Sequence, residues 1–444
     1  MTSVTLEQAL AATRFGFGAS PSDFSAIGAD AKAWLKGQLQ AGTASNYSTP
    51  LPSTSEFLEL AWGGVSSPTM AAAGVDTATL FDYEIGVRTK FGARTSAPYR
   101  ERWARFWSNH FSATGRGEFA GIIGAFEREV IRPNVMARFE DMLVASSTHP
   151  AMIWYLENLF SRGQNSVAQQ GLSSQGLNEN LAREILELHT LGFDGGYSQA
   201  DVRSFANVLT GWTFSDHASG KRPYGVFNFN PDFHEPSAQT VFGVTYSQTG
   251  VDQGLAVLHD LAMHASTINH VCTKIAQHFH SDNPPQSLID QLKAAWTNSG
   301  GDLGVISAAL VDAPEMWVAD QMKIKTVDDY WTSMLRAVDP QWPADWGIMW
   351  MYIMLGAPPF GASSPAGYPM DSGSWSGAGQ IRQRLQTTGN LADGFAPTIG
   401  DIGTLAQNIL GPLLRPATLN AIGSAPSAPN ALTILFMSPE FQRR

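Results

Sequence analysis

The feature that most constrains this chain is a recurring helix-start grammar. Thr5-Leu6-Glu7-Gln8 has the spacing of a capping box, Ser20-Pro21-Ser22-Asp23 combines a cap with proline at the first helical position, and Ser198-Gln199-Ala200-Asp201 is a box-like variant. Each opens an amphipathic run, and similar runs follow one another to the end of the chain. They predict helices that include Thr77 to Ala93, Tyr99 to Phe111, Phe119 to Ile131, Asn178 to Leu191, Gln199 to Gly211, Ser266 to His280, Val327 to Val338, Asp345 to Leu355 and Gly377 to Leu391. Strand signals are few. The aromatic alternation Tyr224 to Phe229, followed by Thr240 to Thr245, predicts a small hairpin. Stretches rich in Pro, Gly and Ser at 44–55, 66–73, 161–176, 358–379 and 423–429 read as loops, because helical pattern resumes at once after each. The expectation is a mainly α protein. It has one large helical domain over residues 1–444, a small β-hairpin or irregular insertion near 224–246, and any subdivision at the 161–177 and 213–250 loops. No fixed-period repeat points to a solenoid.

Composition narrows the function classes. With 43% hydrophobic residues in 444, the chain can bury a large core. A formal net charge of -11 argues against nucleic acid or an anionic membrane as a broad partner. A lone cysteine, Cys272, makes neither an internal disulfide nor a thiolate zinc cage. The densest apolar stretch, Trp342 to Phe360, is broken by Pro343, Asp345 and Pro358-Pro359, so no membrane span is expected. The first residues lack the basic and apolar regions of a secretory leader, which leaves cytoplasm and periplasm both open.

Three groups of residues have the chemistry of a site. On the helix beginning at Asn178, about 100° per residue puts Asn180, Arg183, Glu184 and Glu187 on one face, and Leu181, Ala182, Ile185, Leu186, Asn178 and His189 on the other. Paired carboxylates beside an arginine suit acid–base work, but they cannot share a small ligand with His189 from this helix alone. The plain alternative is an ion-paired outer face and a hydrogen-bonded core histidine. Tyr99, Trp103, Phe106 and His110 form an aromatic stripe ending in an imidazole, flanked by the polar row Arg102, Arg105 and Asn109; His110 there is either a core histidine or a base kept neutral by desolvation. His270, Lys274 and His278 line up at i, i+4 and i+8, and an exposed surface row is favoured over an anion site. The turn Asn230 to Pro236 offers His234, Asp232 and Glu235 with no ligand spacing. Zinc-protease, phosphate-loop, nucleophile-elbow and dinucleotide motifs are all missing.

Five segments, Ala12 to Gly18, Arg105 to Phe111, Leu177 to Gly192, Leu209 to Thr213 and Ser438 to Phe441, together resemble the domain-of-unknown-function 1800 family across nearly the whole chain. The resemblance implies a bacterial origin and a helical fold, and it brings no reaction. Members often occur beside sulfatase-like proteins, which implies a partner of that kind and work on the envelope or a polymer. A second likeness is narrower. Glu184 to His189 with the Asp201 to Gly211 helix resembles the proximal-histidine region of peroxidase–cyclooxygenase haem proteins, and Phe106 to His110 resembles their distal segment. It implies haem held by His189 and peroxide cleavage assisted by His110. The likeness departs where Phe111 replaces the usual Asp and Glu187-Leu188-His189-Thr190 replaces the family's Arg-Glu-His-Asn.

Three expectations follow. The first is a haem-peroxidase-like oxidoreductase using His189 and His110. The second is a carboxylate-based hydrolase or transferase acting on polysaccharide or envelope polymer, with Glu184 and Glu187, or a partner such as Glu127, as acid and base. The third is a non-catalytic binding or assembly protein presenting the aromatic segment Trp342 to Tyr352.

Overall fold

The structure, a computed structural model, describes residues 4–40, 46–115, 117–170, 176–320, 323–339 and 348–444. Helix takes up 62% of it and strand 4%, which makes the protein mainly α. The capping grammar is realised in atoms. The Thr5 hydroxyl accepts the Gln8 amide at 3.2 Å while the Gln8 side-chain oxygen accepts the Thr5 amide at 2.8 Å, starting α1 (Leu6–Leu10). The same reciprocal pair joins Ser198 and Asp201 ahead of the helix Gln199–Leu209. At Ser20 the outcome differs, because the helix starts only at Asp23, whose carboxylate accepts the Ser20 amide.

Two helices fall where the sequence reads as loop or gives no signal. Thr54–Gly63 forms α2 and Pro68–Ala73 forms α3. Ser67 caps α3 through the Met70 amide with Pro68 at the first position, so the Ser/Pro-rich stretch 66–73 is a start signal misread as a loop. Next come α4 (Leu80–Arg94) and α5 (Pro98–His110), the latter buried along most of its length. The expected helix Phe119 to Ile131 is composite. A 3-10 turn leads into Ile123–Phe126, and a wide π turn follows at Glu127–Ile131.

The Asn178 helix is composite too, with α6 (Asn180–Glu184) running into a π turn at Ile185–His189. The Thr190 hydroxyl closes that turn on the Ile185 carbonyl five residues back, at 2.6 Å. After Glu184 the 100° rule therefore no longer applies, although His189 still points inward and is 1% exposed.

The insertion contains two small antiparallel hairpins instead of the single one expected. β1 (Trp212–Phe214) pairs with β2 (Phe227–Phe229), and β3 (Gln239–Val241) pairs with β4 (Val244–Tyr246). The two segments expected to pair with each other thus find different partners. Trp212 is wholly buried, and that anchors β2 to the helices in place of β3.

Helices α7 (Ala265–Phe279), α8 (Val327–Val338), α9 (Ile348–Leu355) and α10 (Ala378–Phe395) complete the frame around the site. Long-range ties close it. The Arg14 guanidinium donates to the Met316 carbonyl at 2.7 Å, and the Tyr330 hydroxyl meets Thr388 at 2.7 Å. Among the described residues no helix is long and apolar enough to cross a membrane.

Candidate functional site

Where α5 crosses α8, a cavity of about 90 Å³ opens under the segment that follows α9. At roughly 10–15 Å³ per water position, it has room for several waters or a small ligand group. Its floor carries Arg88 from α4, Arg102 and Arg105 from α5, and Asp328 and Asp329 from α8. Ser108 and Asn109, three and four residues after Arg105, continue the α5 wall on the same helix face, and Ser112 follows just past the helix end. The rim is apolar: Phe106, Phe360, Tyr368 and Trp375.

The floor is one buried ionic network. Arg105 bonds Asp328 at 2.7 Å and Glu101 at 2.9 Å, and Arg88 bonds Glu127 at 2.9 Å and Asp328 at 3.2 Å. Arg132 bridges Glu101 at 2.6 Å and Glu127 at 2.7 Å. Such pairs give little net stability, because desolvation offsets their attraction, yet removing one partner strands a buried charge. Burial alone would push the Asp328 carboxyl up, but Arg105, Arg88 and the Tyr352 hydroxyl outweigh it and hold the group at about 2. Asp328 is also the member left open. Its side chain is 27% exposed against 4% for Arg88 and 5% for Arg105.

Among the described residues two buried side-chain atoms at the cavity have no hydrogen-bond partner, Arg102 Nε and His278 Nε2. Arg102 spends its other nitrogens on the Gly16 carbonyl and Asp329. The His278 ring packs on Phe106 with centroids 5.1 Å apart. Burial, with Arg102 and Lys323 nearby, lowers its pKa well below the usual value, so the imidazole is neutral at pH 7. Buried donors normally find partners, and orphaned ones beside a cavity point to a missing ligand or solvent.

The roof is a strap pinned to α5 and the residues just after it. Asn109 accepts the Tyr368 amide at 2.7 Å and donates to the Tyr368 carbonyl at 3.0 Å, and the Thr114 hydroxyl donates to Ala362. Gly367, at φ +77°, lies against Asn109, where a Cβ would collide with both its backbone and its side chain.

The residues singled out from sequence fall elsewhere. His110 and His189 do come together, with ring centroids 6.2 Å apart. The His110 Nε2 donates to the His189 carbonyl at 3.1 Å, a bond in which the carbonyl can only accept. With the Phe111 ring tilted by 51° at 5.0 Å from His189 and both imidazoles 1% exposed, the rings pack against each other with no slot for a porphyrin plate. The residues present do not fit haem. Arg183 pairs with Glu179 at 2.9 Å and with Glu187 at 3.2 Å on a partly exposed face. Glu184 is half-buried beside them, and its carboxyl is raised by burial and by Glu187. Neither Glu184 nor Glu187 lines the cleft.

Asn178 folds the helix start, its side-chain oxygen accepting the Asn180 amide at 2.8 Å, and Asn180 is exposed. His234 bonds the Thr210 carbonyl at 2.9 Å and locks the insertion. Glu127 is sealed between Arg88, Arg132 and Tyr47 and held far below the usual carboxylate range, burial being outweighed by the two arginines. It has no acid or base role left.

The His270–Lys274–His278 row is a correction, because it is not an exposed surface row. It packs inward against α5 and the His189 turn. Burial and Lys274 hold His270 at about 4, burial and Lys274 hold His189 at about 3, and burial lowers Lys274 to about 8. Among the described residues no group of three His, Cys, Asp or Glu side chains is gathered closely enough to hold a metal ion.

Sequence reasoning missed Arg88, Asp328, Asp329 and the aromatic strap. It placed Arg102, Arg105 and Asn109 as a row flanking the aromatic stripe. The available signal was charge on that row, since two arginines on a largely apolar helix need buried carboxylates from elsewhere.

Among known proteins, the sequence profile described as "Protein of unknown function (DUF1800)" matches residues 10–443. No curated protein and no solved structure matches this chain. With nearly its whole length covered by that profile, the chain belongs to the DUF1800 family.

Proposed function

We propose that the protein binds a small molecule with an anionic group and a flat or ring-shaped body in the cleft between α5 and α8. The carrying observation is the unpartnered Arg102 Nε beside the Arg88 and Arg105 guanidiniums at the bottom of an apolar funnel. A low-dielectric pocket strengthens attraction for an anion, and Phe106, Phe360, Tyr368 and Trp375 supply surfaces for a ring. Asp328, open and ionised, accepts hydrogen bonds from ligand hydroxyl or amine groups. This reading departs both from haem held by His189 and from an acid–base pair at Glu184 and Glu187, because the groups that line the cleft come from α4, α5, α7 and α8.

The test is a thermal-shift and tryptophan-fluorescence screen of sugar acids, sugar phosphates and aromatic carboxylates against their neutral counterparts. Anionic ring compounds should raise Tm and perturb Trp375, and Arg102→Met should abolish both. Equal responses to neutral and anionic compounds would sink the reading.

A second reading, assembly through an apolar face, is favoured by Trp350, Ile353 and Met354 on α9 and Ile381 and Leu385 on α10, exposed by 36–60%. The first part of the expected aromatic segment Trp342 to Tyr352, residues 342–347, lies outside the described residues. Sedimentation of the wild type and Trp350→Ser across a concentration series tests it, a strictly monomeric wild type counting against it.

A further inference from the structure

We propose that Phe360 is the residue by which the cleft selects its ligand, and that it selects an acid whose anionic group is attached directly to a ring; this rests on the anion-binding reading above. The turn that presents Phe360 holds an unexpected residue. The Gly361 amide donates to the Pro358 carbonyl at 3.1 Å, which closes a four-residue turn with Pro359 and Phe360 at its centre. Phe360 has φ +59°, in the left-handed region. Proline followed by a left-handed residue is the signature of a type II turn, whose third position calls for Gly or Asn. A large side chain there strains the backbone, and strain of this kind persists only where the surroundings fix it. Here the Pro358 carbonyl also accepts the Tyr368 hydroxyl at 2.8 Å, and Asn109 holds Tyr368 through both its amide and its carbonyl.

The strained turn puts an aromatic ring beside the floor. The Arg88 guanidinium lies over the Phe360 ring, 5.3 Å from its centroid, and both residues line the cleft. Phe81 meets the same ring with centroids 6.4 Å apart and steadies it. Arg88 gives Nε to Glu127 and Nη1 to Asp328, and among the described residues its Nη2 has no hydrogen-bond partner. Guanidinium and ring thus make one corner of the cleft. An oxyanion bonded to that nitrogen stands close against the Phe360 ring, so a ligand ring that carries the anion directly reaches both groups at once. A ring on a longer tether is carried past Phe360, and an open-chain acid meets only the guanidinium.

The experiment is isothermal titration calorimetry on the full chain with three monocarboxylates. Benzoate carries its acid on the ring, 4-phenylbutyrate carries the same ring at the end of a flexible tether, and hexanoate has no ring. Benzoate should bind about tenfold tighter than either of the others. Phe360→Asn keeps a residue that accepts the left-handed turn and removes the ring, and it should bring benzoate down to the level of hexanoate. Phe360→Gly should do the same, while Phe360→Tyr, which keeps the ring, should retain the preference. A wild type that binds benzoate no better than hexanoate, or phenylbutyrate as tightly as benzoate, overturns this inference alone. So does a preference for benzoate that survives in both Phe360→Asn and Phe360→Gly. Failure of all three acids to bind overturns the anion reading and this inference with it.

Discussion

Arg105 and Asp328 meet at 2.7 Å across the floor of the cleft although 223 residues separate them. The same guanidinium holds Glu101 one helical turn away and donates to the Thr332 hydroxyl and the Arg88 carbonyl. A contact this remote in sequence exists only once α5 and α8 are packed. Its partners are rigid, so what the cleft binds depends on charges that cannot drift apart.

Replacing Glu127 with Gln should be severe. Glu127 is fully buried and neutralises Arg88 and Arg132 at once. Stranding two buried guanidiniums should cost about 3–5 kcal/mol, read from urea unfolding midpoints. A loss below about 1 kcal/mol would show that the network relaxes onto solvent.

Gly92→Ala tests how tightly Arg105 is held. The Arg105 guanidinium passes where a Cβ on Gly92 would sit. The substitution should cost about 1–3 kcal/mol by overpacking and weaken anion binding in the fluorescence titration. Unchanged affinity would place Arg105 outside recognition.

Acid should unfold the protein early. His189 is held at about 3 and His270 at about 4, while His110 and His278 are held well below the ordinary 6.5, burial being the main cause for all four. Unfolded histidines take up protons as pH falls through 6.5, and the folded ones do not. Stability is therefore full above about pH 7 and is lost from there down through pH 4 to 3. Each such histidine steepens the slope by up to about 1.4 kcal/mol per pH unit. His189→Gln should flatten the Tm-versus-pH curve by one such increment between pH 6 and 4, and a curve parallel to wild type would contradict the buried neutral state.

Lys274→Met should stabilise the protein at pH 7. Among the described residues Lys274 has no ion-pair or hydrogen-bond partner, and burial lowers it from 10.5 to about 8. Its charge is a cost fully present below pH 8 and gone as pH rises through 10.5. An apolar side chain of similar length should gain about 1–3 kcal/mol at pH 7, with the gain shrinking toward pH 10. A destabilised variant would show that the ammonium has an acceptor.

The sequence by itself determined most of the helices, though not α2 or α3, together with the capping boxes at Thr5 and Ser198, the inward aromatic stripe of α5, and the family. These rest on contacts within a few residues, where backbone geometry and side-chain periodicity leave little choice. It also contained the Arg102, Arg105 and Asn109 row, but not its meaning. Packing decided that the row faces Asp328 and Asp329, that His270, Lys274 and His278 turn inward, and that the π turn after Glu184 puts His189 against His110. Packing also paired Phe227–Phe229 with Trp212–Phe214. The physical reason is one of distance along the chain. Helix and cap are local free-energy choices, whereas a cleft is built from charges on separate helices, and their partners exist only when the tertiary structure brings them out of water together.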